Sequence, residues 1–364
     1  MIIDRNSPVP QYFQLQRWLV EQIEQGVFKP GDKIPTEAEF VQMAGLARAT
    51  IRQAIQNLVN LGYLSRKRKL GTFVISRNAN NGNRQIIGLL VPDIRVGYAP
   101  ELARGAEDEA AKNKESLILC STDDLFIKAE YHTERLIENS VAGVIFVPTA
   151  ASDENNKLIV EKFTSRDIPV VLADRLIRGV KIDHVTTDNF DGAYKITEYL
   201  INNGHKKIAI TLSTLFSSER ERLDGYKKAL SDYEIPIDKN IILTHDGRYS
   251  EKPYVDFARK LFKQRNKFTA IFAGHDRIAY LLTSIAIDLG IKIPDDLSIV
   301  GYDDLLPHCQ HQISLTTMHQ PIYEMGVESM KLINARINGV VSRGRSKVLQ
   351  SYLVERDSVI KIPN

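Results

Sequence analysis

The sequence predicts an α/β protein in two parts: an N-terminal winged helix-turn-helix, then a two-lobed, doubly wound parallel-sheet domain. Three observations predict it. Basic charge is concentrated at one end of the chain, a polar stretch interrupts the hydrophobic pattern near residue 80, and short apolar strands alternate with amphipathic helices beyond it.

A chain of 364 residues exceeds one ordinary core and implies two or three domains. The ranges read from the pattern are 1–75 for the winged helix, 76–84 for a linker and 85–364 for the large domain. Within the last, lobe 1 is expected at about 85–183 and 318–345, and lobe 2 at about 186–315 and 346–364. Residues 76–84, SRNANNGNR, are too poor in hydrophobic side chains to hold a core. No run of eighteen apolar residues occurs, and Asp4, Arg5 and Arg17 interrupt the segment where a secretion signal would lie. A cytoplasmic protein with no membrane partner is therefore expected, and Cys120 and Cys309, far apart in sequence, read as reduced thiols.

Net charge is +3, but its distribution carries the information. Residues 1–76 hold ten Lys and Arg against six acids, and the remainder holds 38 against 39. Between Phe40 and Pro92 eight basic residues occur without an Asp or Glu. A basic footprint confined to one end suits a polyanionic partner.

In that region Pro10 can open a helix whose apolar face is Tyr12, Leu15, Leu19 and Ile23, stopped by Gly26 and Pro30-Gly31. Thr36 and Glu39 form a capping box for a second helix to about Ala44, and Gly45 breaks it. A third helix is expected from about Arg48 to Leu61, with Ile51, Ile55 and Leu58 inside. It leaves Arg48, Thr50 and Arg52 outside, in the first turn that a recognition helix presents to base edges. Arginine offers a planar fork for guanine, and a threonine methyl can meet that of thymine. Two arginines four apart would otherwise be a solvated face. The capping box before them and the basic turn after them favour nucleic acid. Arg66, Lys67, Arg68 and Lys69 lie at a hairpin turn followed by Gly71, where backbone can approach phosphate closely, and read as a wing.

These strings, VPQY at Val9, PGDKIPTEAEF at Pro30, ARATIRQAI at Ala47 and GTFV at Gly71, resemble the winged-helix domain of the GntR regulators over nearly all of residues 8–75. The resemblance implies base contacts from Arg48 and Arg52, a nearby contact from Thr50, and entry of the wing near Lys69 and Gly71 into the minor groove. Two positions depart from the family. Ala38 replaces an arginine, removing one DNA contact, and Ala47 replaces the serine that caps the recognition helix, at a cost of about 1 kcal/mol.

Buried strands are expected at Ile86–Val91, Leu117–Cys120, Val144–Val147, Val170–Leu172, Ile208–Leu212, Ile241–Leu243, Ala270–Phe272 and Ser298–Val300, in two parallel sheets with a break near 183–187. A ligand between two such sheets meets the carboxyl ends of the strands. This region resembles the effector domain of the LacI/GalR repressors through IGLLVPD at Ile87, IPVVLADR at Ile168, HVTTDNFDGA at His184, ERLDGYKKAL at Glu221, LGIKIPDDLSIVGYDD at Leu289 and further strings covering almost all of 85–364. A GntR-type head on such a body resembles the arabinose repressors of Gram-positive bacteria. The likeness implies a homodimer that binds a pseudo-palindromic operator and responds to a sugar, with L-arabinose or a related pentose ahead of a hexose, disaccharide or nucleoside. It places Asp174, Arg222, His275 and Asp303 on the cleft, with Tyr249 and Tyr98 as the aromatic candidates. His275 stands where an asparagine is more usual. Arginine and aspartate are suited to the task, since a sugar requires donors and acceptors at fixed spacing.

Other signals lead elsewhere. His308, Cys309, His311 and His319 fit no common zinc spacing, and His205 reads as a structural turn residue. No phosphate-loop, dinucleotide or nucleophile-elbow motif occurs, so no cofactor, metal or catalytic residue is expected. Asp303 and Asp304 are adjacent on one backbone and are poorly placed to flank a substrate as a glycosidase pair. A transport receptor would lack the basic head.

Overall fold

The structure, a computed structural model, describes residues 9–60, 63–67, 70–74, 85–95, 97–245, 251–263, 265–305, 313–339 and 344–363. The expected linker, Arg68 and Lys69 in the wing, Tyr249, and His308, Cys309 and His311 lie outside these residues. Internal contacts divide the chain into two units, 1–83 and 84–364.

The first unit contains α1 (Gln11–Glu24), α2 (Glu37–Ala44), α3 (Arg48–Asn60), β1 (Leu64–Lys67) and β2 (Gly71–Val74). Pro10 is the residue before the first turn of α1. The capping box is complete: the Glu39 N–H donates to Thr36 Oγ1 at 3.3 Å, and Glu39 Oε2 accepts the Thr36 N–H at 2.6 Å. Gly45 ends α2 in the left-handed region at φ 65°. β1 and β2 pair antiparallel from Leu64↔Val74 to Lys67↔Gly71. The segment before α2 ties this hairpin to the body, with Ile34 N–H donating to the Thr72 carbonyl at 3.0 Å and Val74 N–H to that of Asp32 at 2.8 Å. One core of Leu15, Leu19, Ile34, Phe40, Ile51, Ile55 and Leu58 joins all three helices to the hairpin.

The second unit begins with β3 (Ile86–Val91), α4 (Ala99–Lys112), β4 (Ser116–Ser121), α5 (Phe126–Glu138), β5 (Gly143–Phe146), α6 (Asp153–Thr164), β6 (Val170–Ala173) and β7 (Asp183–Thr187). It continues through α7 (Asn189–Asn202), β8 (Ile208–Ser213), α8 (Ser217–Asp232), β9 (Ile242–His245), α9 (Glu251–Phe262), β10 (Ala270–Ala273), α10 (Asp276–Asp288) and β11 (Ser298–Val300). It closes with β12 (Thr317–His319), α11 (Ile322–Ile337), β13 (Ser346–Leu349) and β14 (Tyr352–Val354). One lobe is a six-stranded parallel sheet in the order β13-β7-β6-β5-β3-β4. The other is a four-stranded parallel sheet, β11-β10-β8-β9, flanked by the antiparallel pair β12-β14.

Helices cover both faces of each sheet. In the first lobe α4 and α11 pack on one core and α5 and α6 on another. The second lobe is divided likewise between α9 with α10 and α7 with α8. Glycine permits the closest of these approaches. A Cβ on Gly326 of α11 would stand 2.2 Å from the Leu102 carbonyl of α4, and one on Gly105 2.0 Å from that of Tyr323.

The chain passes between lobes at Asp188, at Gln320-Pro321 and between β13 and β14. The crossings are tied together: Asp188 N–H donates to the Leu349 carbonyl at 2.9 Å, and the Thr187 hydroxyl to the Gln320 side-chain carbonyl. Three short segments, two of them bonded to the third, form the kind of connection about which two lobes can hinge.

Two expected boundaries are corrected here. Residues 183–187 are a strand of lobe 1 and not a break between lobes, and 346–349, assigned from sequence to lobe 2, pair with β7 on the edge of the lobe 1 sheet. Their sequences, DHVTT and SKVL, lack the apolar run by which a buried parallel strand is recognised, and β13 is largely exposed on an edge.

Candidate functional site

On the first unit Arg48 and Arg52 project as exposed side chains from the first turn and a half of α3, with Thr50 half-buried between them. Arg52 is held in place. Its Nη2 and Nε donate to Glu37 Oε2 at 3.1 and 3.3 Å, and Arg66 of the hairpin reaches the other oxygen of the same carboxylate at 3.6 Å. Glu37, at the start of α2, thus links recognition helix and wing; the sequence reading missed it, although it lies inside the capping-box string. Lys67 stands over the Phe73 ring, 5.1 Å from its centroid. Gly71 has φ 120°, a backbone conformation that favours glycine, while the Lys33 side chain that a Cβ would meet is a flexible end that can swing aside.

On the second unit the expected residues converge at the carboxyl ends of the strands. Tyr98, Asp174, Arg222, His275 and Asp303 all line one cleft, together with Pro92, Arg175, Phe216, Glu219, Arg277 and Gln320. Asp174 follows β6 on the first lobe with φ 63°, and Asp303 follows β11 on the second with φ 113°; both turns aim a carboxylate across the sheet end. His275 caps α10, its Nδ1 accepting the Ile278 N–H at 3.4 Å, so in the neutral ring Nε2 carries the proton. Tyr98 is the residue preceding α4.

Arg222 is buried and its guanidinium is fixed on every side. Nε donates to Asn189 Oδ1 at 2.9 Å, Nη1 to the Gly274 carbonyl at 2.6 Å, and Nη2 stands 3.5 Å from Asp303 Oδ1. The Tyr302 ring lies beneath it, 3.7 Å from the guanidinium carbon. Burial pushes the Asp303 carboxyl up to about 7 against the opposing pull of Arg222. Asp304, its neighbour, serves structure. It accepts from Arg356 at 2.6 Å and His319 at 2.9 Å, and these bonds outweigh burial to hold it below the ordinary carboxylate range. His205 is also structural: its ring bonds Thr269 Oγ1 at 2.9 Å and the Ile360 carbonyl at 3.1 Å, and burial lowers its pKa. Among the described residues no group of His, Cys, Asp and Glu is arranged to hold a metal ion. No helix there is long and apolar enough to cross a membrane.

A two-lobed domain with a cleft lined by charged side chains, in one chain with a winged helix that exposes arginines, defines the class of ligand-responsive DNA-binding regulators. The comparisons with known proteins agree. Residues 11–74 match the gntR family of bacterial regulatory proteins, and residues 197–359 match the periplasmic binding protein-like domain. An arabinose metabolism transcriptional repressor of Geobacillus stearothermophilus is 30% identical over 334 residues, 90% of this chain and 92% of that protein. The crystal structure of transcription regulator CcpA of Lactococcus lactis is 28% identical and superposes with a TM-score of 0.68, covering 76% of this chain and all of that one. A LacI family transcriptional regulator from Enterococcus faecium with bound ribose is 30% identical with a TM-score of 0.65, covering 77% and 100%. The chain belongs to the transcriptional repressors that join a gntR-type DNA-binding domain to a LacI-type effector domain; it is a regulator and not an enzyme.

Proposed function

We propose that this protein is a cytoplasmic repressor that binds a pseudo-palindromic operator as a homodimer and loosens its hold when a small sugar enters the cleft. The observation that carries the reading is the placement of Asp174 on one lobe and Arg222 with Asp303 on the other around a single cleft. A ligand bonded to both sides favours the closed arrangement by its differential contacts. In a two-fold dimer, closure shifts the lobes of the two subunits against each other and alters the spacing available to the heads. Support for dimerisation comes from exposed apolar side chains on the β4 edge and α5: Leu119, Ile127 and Tyr131 are 41%, 67% and 61% exposed.

L-Arabinose or a related pentose is the proposed effector. Two relatives, from Geobacillus stearothermophilus and Halalkalibacterium halodurans, are arabinose metabolism repressors, and the Enterococcus faecium structure holds ribose. Arg48, Thr50 and Arg52 are the proposed base-reading residues, with Lys67, Gly71 and the wing residues Arg68 and Lys69 on the phosphates and minor groove. A thermal-shift panel of sugars tests the ligand, since a binder at a hundred times its Kd adds about 2.7 kcal/mol of apparent stability. Stabilisation by pentoses supports the reading. Stabilisation only by a hexose, disaccharide or nucleoside keeps the switch and replaces its ligand, and silence from the whole panel contradicts it.

A further inference from the structure

The cleft holds one carboxylate that the sequence does not announce. Glu219, in the first turn of α8, is buried, and its Oε2 accepts the Ser213 N–H at 2.5 Å. Gly274 runs so close that a Cβ there would lie 2.9 Å from that oxygen, so backbone seats the carboxylate from two sides.

Four buried carboxylates, Asp124, Asp174, Glu219 and Asp303, surround two buried guanidiniums, Arg175 and Arg222. Both guanidiniums are engaged within the protein. Arg222 is held as described above. Arg175 Nη1 donates to Asp124 at 2.5 Å and to the Pro148 carbonyl at 2.8 Å, and its guanidinium carbon lies 3.7 Å from the centroid of the Phe216 ring. Asp174 Oδ2 stands 3.6 Å from Arg175 Nε, which leaves its other oxygen. Asp174 is 4% exposed, and its Oδ1 has no hydrogen-bond partner although it lines the cleft. Burial pushes Glu219 up to about 7, as it does Asp303, against the opposing pull of Arg222 on both. At the mouth Arg277 faces Asp93, which is itself bonded by Arg95 at 2.8 Å.

We infer that the cleft selects its ligand by charge: Asp174, Glu219 and Asp303 admit an uncharged, hydroxyl-rich sugar and turn away its phosphate ester or acid, with Glu219 a specificity-determining residue. The inference rests on the reading of the effector as a sugar. A sugar hydroxyl can donate to Asp174 Oδ1, the carboxylate oxygen left over. A phosphate monoester brings a charge of about −1.5 to −2 against the three carboxylates, while the Arg175 and Arg222 guanidiniums are already paired with Asp124 and Asp303. Like charges so placed repel by enough to cost at least a factor of about ten in affinity.

The test is titration calorimetry on the full chain at pH 7.5 with D-ribose, L-arabinose, D-xylose and D-glucose, each paired with its terminal phosphate ester. For every sugar that binds, the ester is expected to bind at least about tenfold more weakly. Glu219→Gln, which removes one charge and keeps the shape, narrows that gap severalfold, whereas Glu219→Asp preserves it. An ester that binds wild type as tightly as its free sugar, or more tightly, overturns the charge filter and leaves the sugar reading standing. An unchanged gap in a folded Glu219→Gln protein removes Glu219 from it. If neither form of any sugar binds, the sugar reading fails and the filter with it.

Discussion

Gln320 donates its side-chain amide to Asp303 Oδ1 at 2.5 Å while its carbonyl accepts the Thr187 hydroxyl, so a residue on one lobe crossing grips the cleft and a second crossing at once. A ligand that met Asp303 would thereby act on the lobe crossings as well. Gln320→Leu should weaken sugar binding about tenfold, the usual worth of a hydrogen bond to a charged group. Calorimetric titration measures this, and undiminished affinity would show that the tie is incidental.

Stability of the second unit should fall as pH rises through the neutral range. Glu219 and Asp303 are raised by burial from 4.5 and 3.8 to about 7. Between the ordinary values and about 7 the folded protein therefore binds more protons than the unfolded chain. The two groups favour folding most on the acid side, and that advantage is lost by about pH 7. Carboxylates held low, such as Asp183 beside Arg336 and Asp304 beside Arg356, titrate below this window, and His205, held low by burial, works the other way as one group against two. Calorimetric melting from pH 5 to 8 should show the decline, and Glu219→Gln should flatten it. Equal slopes in both proteins would contradict the assignment.

The winged helix should depend on its capping box. Thr36→Ala removes the acceptor for the Glu39 N–H, and about 1 kcal/mol of that unit's stability should go with it. Chemical denaturation of the full chain reads the loss, and Thr36→Ser should restore most of it.

Recognition and attraction should separate by residue. Arg48→Ala and Arg52→Ala should relax base preference and lose about 1–3 kcal/mol on the operator, whereas Lys67→Ala should weaken all sequences alike and reduce the salt slope by about one unit. Binding to operator and scrambled duplexes across a salt series distinguishes them. Equal, sequence-independent losses at all three positions would reduce α3 to a phosphate contact.

Much of this was legible because buried parallel strands are short apolar runs and helix starts carry their own chemistry. The capping box at Thr36 and the strand Ile86–Val91 rest on such signals, whereas the convergence of Asp174, Arg222 and Asp303 was expected only from the resemblance to the LacI/GalR effector domain. What escaped was set by tertiary context. β13 is polar because it lies on an edge, and β12 and β14 are three residues each. Glu219 reads as one more charge on a charged helix until Ser213 and Gly274 bury it. Glu37 joins Arg52 and Arg66 across 15 and 29 positions of chain, a relation that no local pattern encodes.

The central claim, that a ligand bridging the lobes controls operator binding, is tested most directly by operator affinity with and without L-arabinose in wild type and in Asp303→Ala. Wild type should lose affinity on adding sugar by a coupling of about 1–3 kcal/mol. The variant, deprived of the carboxylate that faces Arg222 and Gln320, should bind operator normally and ignore the sugar. An equal response in both proteins would mean that the ligand acts from somewhere other than this cleft.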